Sequence, residues 1–253
     1  MRVAFDARHL QTVARHRGIG RYTRNLLAAW AKAPPQDIEF VLLRLANFPK
    51  AAPQPLPPKR KDLRMRRLRK PELAMLLFDA VFLPLDLLGM CDVYHSLQLS
   101  LPGLRACRAV VTIHDLAPLR WPDHYLRYPH VALGHRLQYA LARRADAVIA
   151  PSEATRADVV ERLGVAEERV RVIGEAVDPE FAPPSRGEAW RIVRERLGVA
   201  APYLLYVGQF DPRKNMPALC RAFAAAAQRD RDVRLVVAGA LGRLAAHLTD
   251  ALT

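Results

Sequence analysis

Short apolar stretches alternate with helically periodic ones along almost the whole chain, and this alternation confines it to an α/β architecture on a parallel sheet. Residues 3–6 read as an apolar strand. Ile19, Tyr22, Leu26, Leu27 and Trp30 then recur at helical spacing until Pro34 and Pro35 stop the helix. Further strands are expected at 38–43, 92–95, 110–114, 147–150 and 170–173, and helices at 72–82 and 125–144. Residues 44–70, rich in proline and base, read as loop. Ser152 stands where it can cap a helix that runs to Leu163, with Gly164 beyond it.

Pro179, Pro183 and Pro184 interrupt the pattern. The S-x-x-E spacing of Ser185 and Glu188 then predicts a capped helix to Leu197, followed by Gly198. Strands are expected at 203–207 and 233–238, and a helix at 241–251. Between the strands Asn215 is placed to cap a helix bearing Met216, Leu219, Cys220 and Phe223 on one face. These breaks predict two domains, 1–182 and 183–253. The second has strands for only part of a doubly wound sheet, which needs about 100–150 residues.

Composition removes several alternatives. With 51% hydrophobic and 25% charged residues, the chain is not of a disordered type. Residues 1–10 hold no apolar leader core, so no secretory signal is expected. The longest apolar run, 73–90, is broken by Asp79, Pro84 and Asp86 and reads as non-spanning. Three cysteines, Cys91, Cys107 and Cys220, lie far apart without a C-x-x-C, which argues against a disulfide framework or a cysteine zinc site and fits a reducing cytoplasm.

The net charge of +14 is unevenly spread. Residues 1–150 carry 24 Lys/Arg against 11 Asp/Glu, whereas 151–253 carry 15 against 14. The densest block, 59–70, has eight bases and one acid and runs directly into an apolar segment. It reads either as a solvated loop or as a surface for anionic lipid headgroups. Nucleic acid is disfavoured, since no recognised nucleic-acid-binding pattern accompanies the bases.

Three places could carry chemistry. Gly18-Ile19-Gly20 opens a helix, where free N–H groups and the positive dipole end suit a phosphate; the alternative is an ordinary turn. A dinucleotide fingerprint would need glycine at Thr23, so NAD and FAD are disfavoured. His114 ends a strand, at the edge where open α/β sheets bind ligands; a purely structural histidine is the alternative. The third is the turn Gly208-Gln209-Phe210-Asp211-Pro212-Arg213-Lys214-Asn215. It offers Lys214 as a mobile point charge for phosphate, or simply as a surface lysine. No P-loop pattern and no metal-ligand spacing is present.

Taken together, RGIGRYTRNLL, DVYHS, VVTIHDL, ADAVIAPSEATRADV, RVRVIGEAVDPEF, YLLYVGQFDPRKN and RLVVAG resemble the family-4 retaining glycosyltransferases of the two-Rossmann GT-B fold. Within that family, G-I-G-R-Y and P-R-K-N are similar to enzymes that add mannose or related hexoses to polysaccharide or lipid-linked glycans. The resemblance implies an acceptor-side Rossmann-like domain at 1–182, then a linker helix and the first part of a nucleotide-sugar-binding domain at 183–253. It implies a nucleotide-sugar donor as substrate, a glycan or lipid-linked acceptor, and no metal or other cofactor. Gly18 and Gly20 would lie near the donor phosphates, His114 would contact the transferred sugar, and Lys214 would hold the pyrophosphate. Gln209 stands where family members usually have arginine, leaving Arg213 as a candidate substitute. The family's E-x7-E motif is not reached before Thr253, so the resemblance implies weak donor binding and little turnover by this chain alone. A non-catalytic acceptor-binding or membrane-surface module is the competing reading. The expected location is cytoplasmic, peripheral on the inner face of the cytoplasmic membrane.

Overall fold

A computed structural model of the chain describes residues 1–46, 56–58, 60–65, 71–178, 181–200, 202–208 and 211–239. The chain divides into two compact units, Met1–Asp178 and Pro179–Thr253.

The first unit is built on seven parallel strands: β1 (Arg2–Asp6), β2 (Glu39–Leu45), β3 (Arg60–Met65), β4 (Val93–Ser96), β5 (Arg108–Thr112), β6 (Ala147–Ala150) and β7 (Val170–Val172). Their spatial order is β3-β2-β1-β4-β5-β6-β7. The order reverses between β1 and β4, and a crevice opens at the carboxyl ends of strands where such a reversal occurs. Both faces of the sheet are buried, as parallel sheets require. Val3, Phe5, Phe40 and Leu42 pack with Leu27, Leu26 and Trp30 of helix α1 (Gly18–Lys32). Ala4, Val41, Leu43, Tyr94, Val111 and Val148 point the other way. They share a core with residues of α2 (Pro71–Leu87), α5 (Pro129–Ala142) and α6 (Glu153–Leu163).

Helix α6 follows the predicted signals: Ser152 accepts from the Thr155 N–H, and Gly164 closes the helix at φ 66°. Three expectations are corrected. Residues 60–65 form edge strand β3 and not loop. Being at the edge, β3 tolerates charges that the hydropathy pattern reads as non-strand, and Lys61–Glu39 (3.1 Å) and Arg44–Asp62 (3.5 Å) pair it to β2. The helix expected at 125–144 begins only at Pro129, as α5, after the short turns α3 (Ala117–Arg120) and α4 (Pro122–Tyr125). Tyr128 is held extended by the following proline, which takes the first helical position. The helix expected to end at 82 continues to Leu87 straight through Pro84. Proline lacks the N–H that would bond the carbonyl of Ala80, and the Gly103 N–H donates to that carbonyl instead at 2.8 Å. A Cβ on Gly103 would meet the same oxygen at 2.5 Å, so only glycine fits there.

The second unit contains α7 (Arg186–Leu197), the parallel strands β8 (Tyr203–Val207) and β9 (Arg234–Ala238), and α8 (Met216–Ala227). Ser185 caps α7 by accepting from the Glu188 N–H, and Gly198 ends it at φ 66°. Met216 and Cys220 of α8 are buried and pack with Tyr206 and Leu219. Asn215 does not cap α8 with its side chain as expected; its backbone turns left-handed, at φ 50°. The helix expected at 241–251 lies outside the described residues.

Candidate functional site

The crevice at the carboxyl edge of the first sheet is anchored by a buried ion cluster. Arg8, in the 3-10 turn Arg8–Gln11 after β1, is fully buried with Asp6 and Asp79. Its Nε donates to Asp6 Oδ1 at 2.8 Å and its Nη2 to Asp6 Oδ2 at 2.6 Å. Toward α2, Nη1 donates to Asp79 Oδ1 at 2.6 Å and Nη2 to Asp79 Oδ2 at 2.8 Å. Arg8 thus forks onto two carboxylates, the geometry that only a guanidinium supplies. Ser100, after β4, joins the cluster through its hydroxyl, and the Tyr94 hydroxyl donates to the Ser100 carbonyl at 2.9 Å. Burial alone would raise the Asp6 carboxyl, but the Arg8 guanidinium outweighs it and holds that carboxyl below the usual carboxylate range. The cluster fastens the loop after β1 to α2 and to the loop after β4.

Beside it lies a row of histidines. His9 is 1% exposed; its Nε2 bonds Thr23 Oγ1 of α1 at 2.6 Å, and its Nδ1 has no hydrogen-bond partner among the described residues. His95 Nε2 bonds Thr112 Oγ1 at 2.9 Å. His114 lies two residues past β5, bridging loops that follow three strands. Its Nε2 donates to the Leu97 carbonyl at 3.1 Å, and its Nδ1 meets Glu175 Oε1 at 2.8 Å. The Tyr22 ring of α1 stands edge-on to it, centroids 5.0 Å apart. Both partners offer acceptor oxygens, and each bond that His114 donates uses one ring N–H. A ligand hydroxyl that approaches His114 must therefore displace one of them. Glu175, with its side chain 45% exposed, is the freer partner. Sequence reasoning missed Glu175. Its only signal was its place three residues beyond β7, at the same sheet edge as His114.

The two buried histidines make stability pH-dependent. Burial holds both His9 and His95 at about 4, against an ordinary 6.5. Asp6 favours the charged His9, while Arg8 and His114 oppose it; Thr112 is the polar contact of His95. The unfolded chain takes up these protons near pH 6.5 and the folded chain only near 4, so stability is full above that window and falls as pH drops through it. The expected loss is roughly 2–3 kcal/mol per histidine. Urea midpoints measured from pH 7 to 4 should show it, and His95→Gln should flatten the slope; an unchanged slope would remove His95 from this account.

Gly18 and Gly20 stand in the first turn of α1, which has no side-chain cap. Four arginines and a histidine (Arg15, His16, Arg17, Arg21 and Arg24) line a cavity of about 260 Å³ with Gly18. The two glycines differ in role. A Cβ on Gly20 would meet the Ala14 carbonyl oxygen at 2.5 Å, whereas one on Gly18 would meet nothing within 4 Å. Gly20→Ala should therefore cost about 1–3 kcal/mol of stability, and Gly18→Ala at most about 1 kcal/mol. Thermal melts of the two variants test this, and equal losses would refute the distinction.

In the second unit Lys214 ends the 3-10 turn Pro212–Lys214. Its side chain is exposed and makes no ion pair among the described residues. Arg213 Nε lies 3.5 Å from Asp211, so its charge is already engaged locally. Gln209 lies outside the described residues. Among the described residues no three His, Cys, Asp or Glu side chains cluster as metal ligands.

A seven-stranded sheet with this order, its crevice at the β1/β4 reversal and His114 at its edge, is matched along 16–181 by the family described as Glycosyltransferase Family 4. The chain belongs to that family. Among curated proteins it is similar to the serotype-specific mannosyltransferase WbdA of Escherichia coli, 30% identical over 118 residues. That stretch is 46% of this chain and 14% of WbdA. It is also similar to the O-antigen chain mannosyltransferase B of Escherichia coli, 25% identical over 52% of this chain and 34% of that protein. The matches thus span well under half of each of these relatives. Among solved structures, Anabaena Alr3699/HepE in complex with UDP and glucose superposes at TM-score 0.64 and 18% identity. It covers 99% of this chain, which spans 64% of that one. An α,α-trehalose 6-phosphate synthase from Burkholderia multivorans gives 0.57 and 15%, with 98% and 68% coverage. These likenesses give the fold, which is of the GT-B type.

Proposed function

We propose that this glycosyltransferase-family chain transfers a hexose, mannose in the first instance, from a nucleotide-sugar donor to a glycan or lipid-linked acceptor, with retention of configuration. The observation that carries the reading is His114, held between the Leu97 carbonyl and Glu175 at the carboxyl edge of the sheet. The names of the similar mannosyltransferases and the UDP-bound neighbour support the choice of a nucleotide-sugar and a hexose. On this reading His114 meets a hydroxyl of the transferred sugar and Glu175 positions the ring. The N–H groups at Gly18 and Gly20 meet the donor diphosphate, whose charge grows as it leaves; fixed positive charge stabilises that stage most. Lys214, in the second unit, is read by itself as a phosphate-binding lysine. The reading uses no metal and no other cofactor. The test is transfer from a panel of nucleoside diphosphate hexoses to glycan and lipid-linked acceptors, with the anomer identified by NMR. Absence of transfer and of donor binding across the panel would overturn it.

A membrane-surface role is favoured by a specific observation. Val81, Leu85 and Leu88 are 63–72% exposed on and just after α2, following the basic block. Lys59 and residues 66–70 of that block lie outside the described residues. No helix among the described residues is long and apolar enough to cross a membrane. On this reading the chain works in the cytoplasm, peripheral on the inner membrane face, which the exposed apolar residues beside the basic block support. Each base near an anionic surface contributes about 1 kcal/mol, screened by salt. Vesicle co-sedimentation should rise with anionic lipid, fall with salt, and drop in Leu85→Ser/Leu88→Ser; equal binding to neutral vesicles would sink this reading.

A further inference from the structure

Cys91 and Cys107, sixteen residues apart, precede the starts of two neighbouring strands. The parallel register that sets Val93 opposite Arg108 brings them together at the amino edge of the sheet. There Cys91 Sγ donates to Cys107 Sγ at 3.4 Å, and both thiols are free. An S–S bond is about 2.05 Å long, so the sulfurs stand within about 1.4 Å of bonding distance. The two differ in access. Cys91 is 6% exposed and belongs to the core, whereas Cys107 is half-buried. Cys107 also lines a cavity of about 70 Å³, together with Gly103, Arg105, Leu141, Arg144 and Asp146. They differ in chemistry too. The hydrogen bond from Cys91 favours the Cys107 thiolate and pulls that thiol down, while the same bond and burial push Cys91 up.

We propose that Cys91 and Cys107 form a thiol–disulfide exchange site for low-molecular-weight disulfides, with Cys107 the attacking sulfur and Cys91 the resolving one. The Cys107 thiolate attacks one sulfur of the small disulfide, forming a mixed disulfide and expelling one small thiolate. Cys91 then loses its proton and attacks the Cys107 sulfur, forming the Cys91–Cys107 bond and expelling the second small thiolate, which takes up the proton. The protein dithiol is oxidised by two electrons and the small disulfide is reduced to two thiols. The site lies at the opposite edge of the sheet from His114 and is independent of the proposed sugar transfer.

The full chain, reduced and then incubated with oxidised glutathione, tests this by intact mass and peptide mapping. The expected product has lost two hydrogens, yields one Cys91–Cys107 cross-linked peptide, and reverts with dithiothreitol. Cys91→Ser should stop at a glutathione adduct on Cys107. Cys107→Ser should react at Cys91 at least about 10-fold more slowly than the wild type reacts. Mixed adducts on the wild type without the cross-link would overturn the proposal. So would Cys91 in Cys107→Ser reacting at the wild-type rate, or reaction only after denaturation.

Discussion

Arg8→Ala should destabilise the Met1–Asp178 unit by about 3–5 kcal/mol, the largest single loss expected in this protein. Such a loss is comparable to the whole stability of a weak domain, about 5 kcal/mol. The reason is asymmetric. A buried ion cluster adds modestly to stability when complete, because taking its charges out of water is costly. Removing the guanidinium takes from the buried Asp6 and Asp79 the cation that forks onto both of them, and the Ser100 hydroxyl loses a donor. Arg8→Lys should fall between wild type and alanine, since one ammonium cannot fork onto both carboxylates as Nε, Nη1 and Nη2 do. Urea denaturation of the three proteins checks the order. A loss under about 1 kcal/mol in Arg8→Ala would mean that water or a rearranged side chain replaces the guanidinium.

On the proposed sugar-transfer reading, His114→Ala should lower transfer, as kcat/KM, by about 100-fold or more while leaving the fold intact. The side chain is partly exposed and lies outside the two core clusters, so its removal opens no buried cavity. Glu175→Gln keeps a neutral acceptor beside Nδ1 but removes the charge that holds the ring, and should cost about 10-fold. The pair separates two roles. Replacing a residue that touches the sugar loses most of the activity, whereas replacing one that only orients the His114 ring loses a smaller part. Transfer in His114→Ala within about 3-fold of wild type would remove this residue from sugar contact. Far-ultraviolet circular dichroism of each variant guards against misfolding as the cause.

Much of the fold was legible in the sequence because strand and helix signals are local. The apolar run that became β1 and the caps at Ser152 and Ser185 each report on a few adjacent residues, and the structure follows them closely. Of the candidate site, His114 and the Gly18-Ile19-Gly20 turn could be read for the same reason: both mark ends of recognisable elements. Glu175 could not, because a lone acid after a short strand carries no periodicity.

The sequence by itself determined the α/β alternation and the parallel class of sheet, since burial of one face or two leaves its mark in every window of ten residues. Only the tertiary structure decided which distant groups meet. Edge strand β3 exists because β2 offers it a free edge, and its own charged residues would not have announced it. Helix α2 passes Pro84 because Gly103, far along the chain, supplies the missing donor to Ala80. Arg8 reads as a surface base and is wholly buried because Asp79 and Ser100 arrive from elsewhere in the fold to satisfy it. Cys91 and Cys107 meet only because β4 and β5 pair in one register. Each of these partnerships rests on contacts between residues that local hydropathy does not link, and so the folded chain alone reveals them.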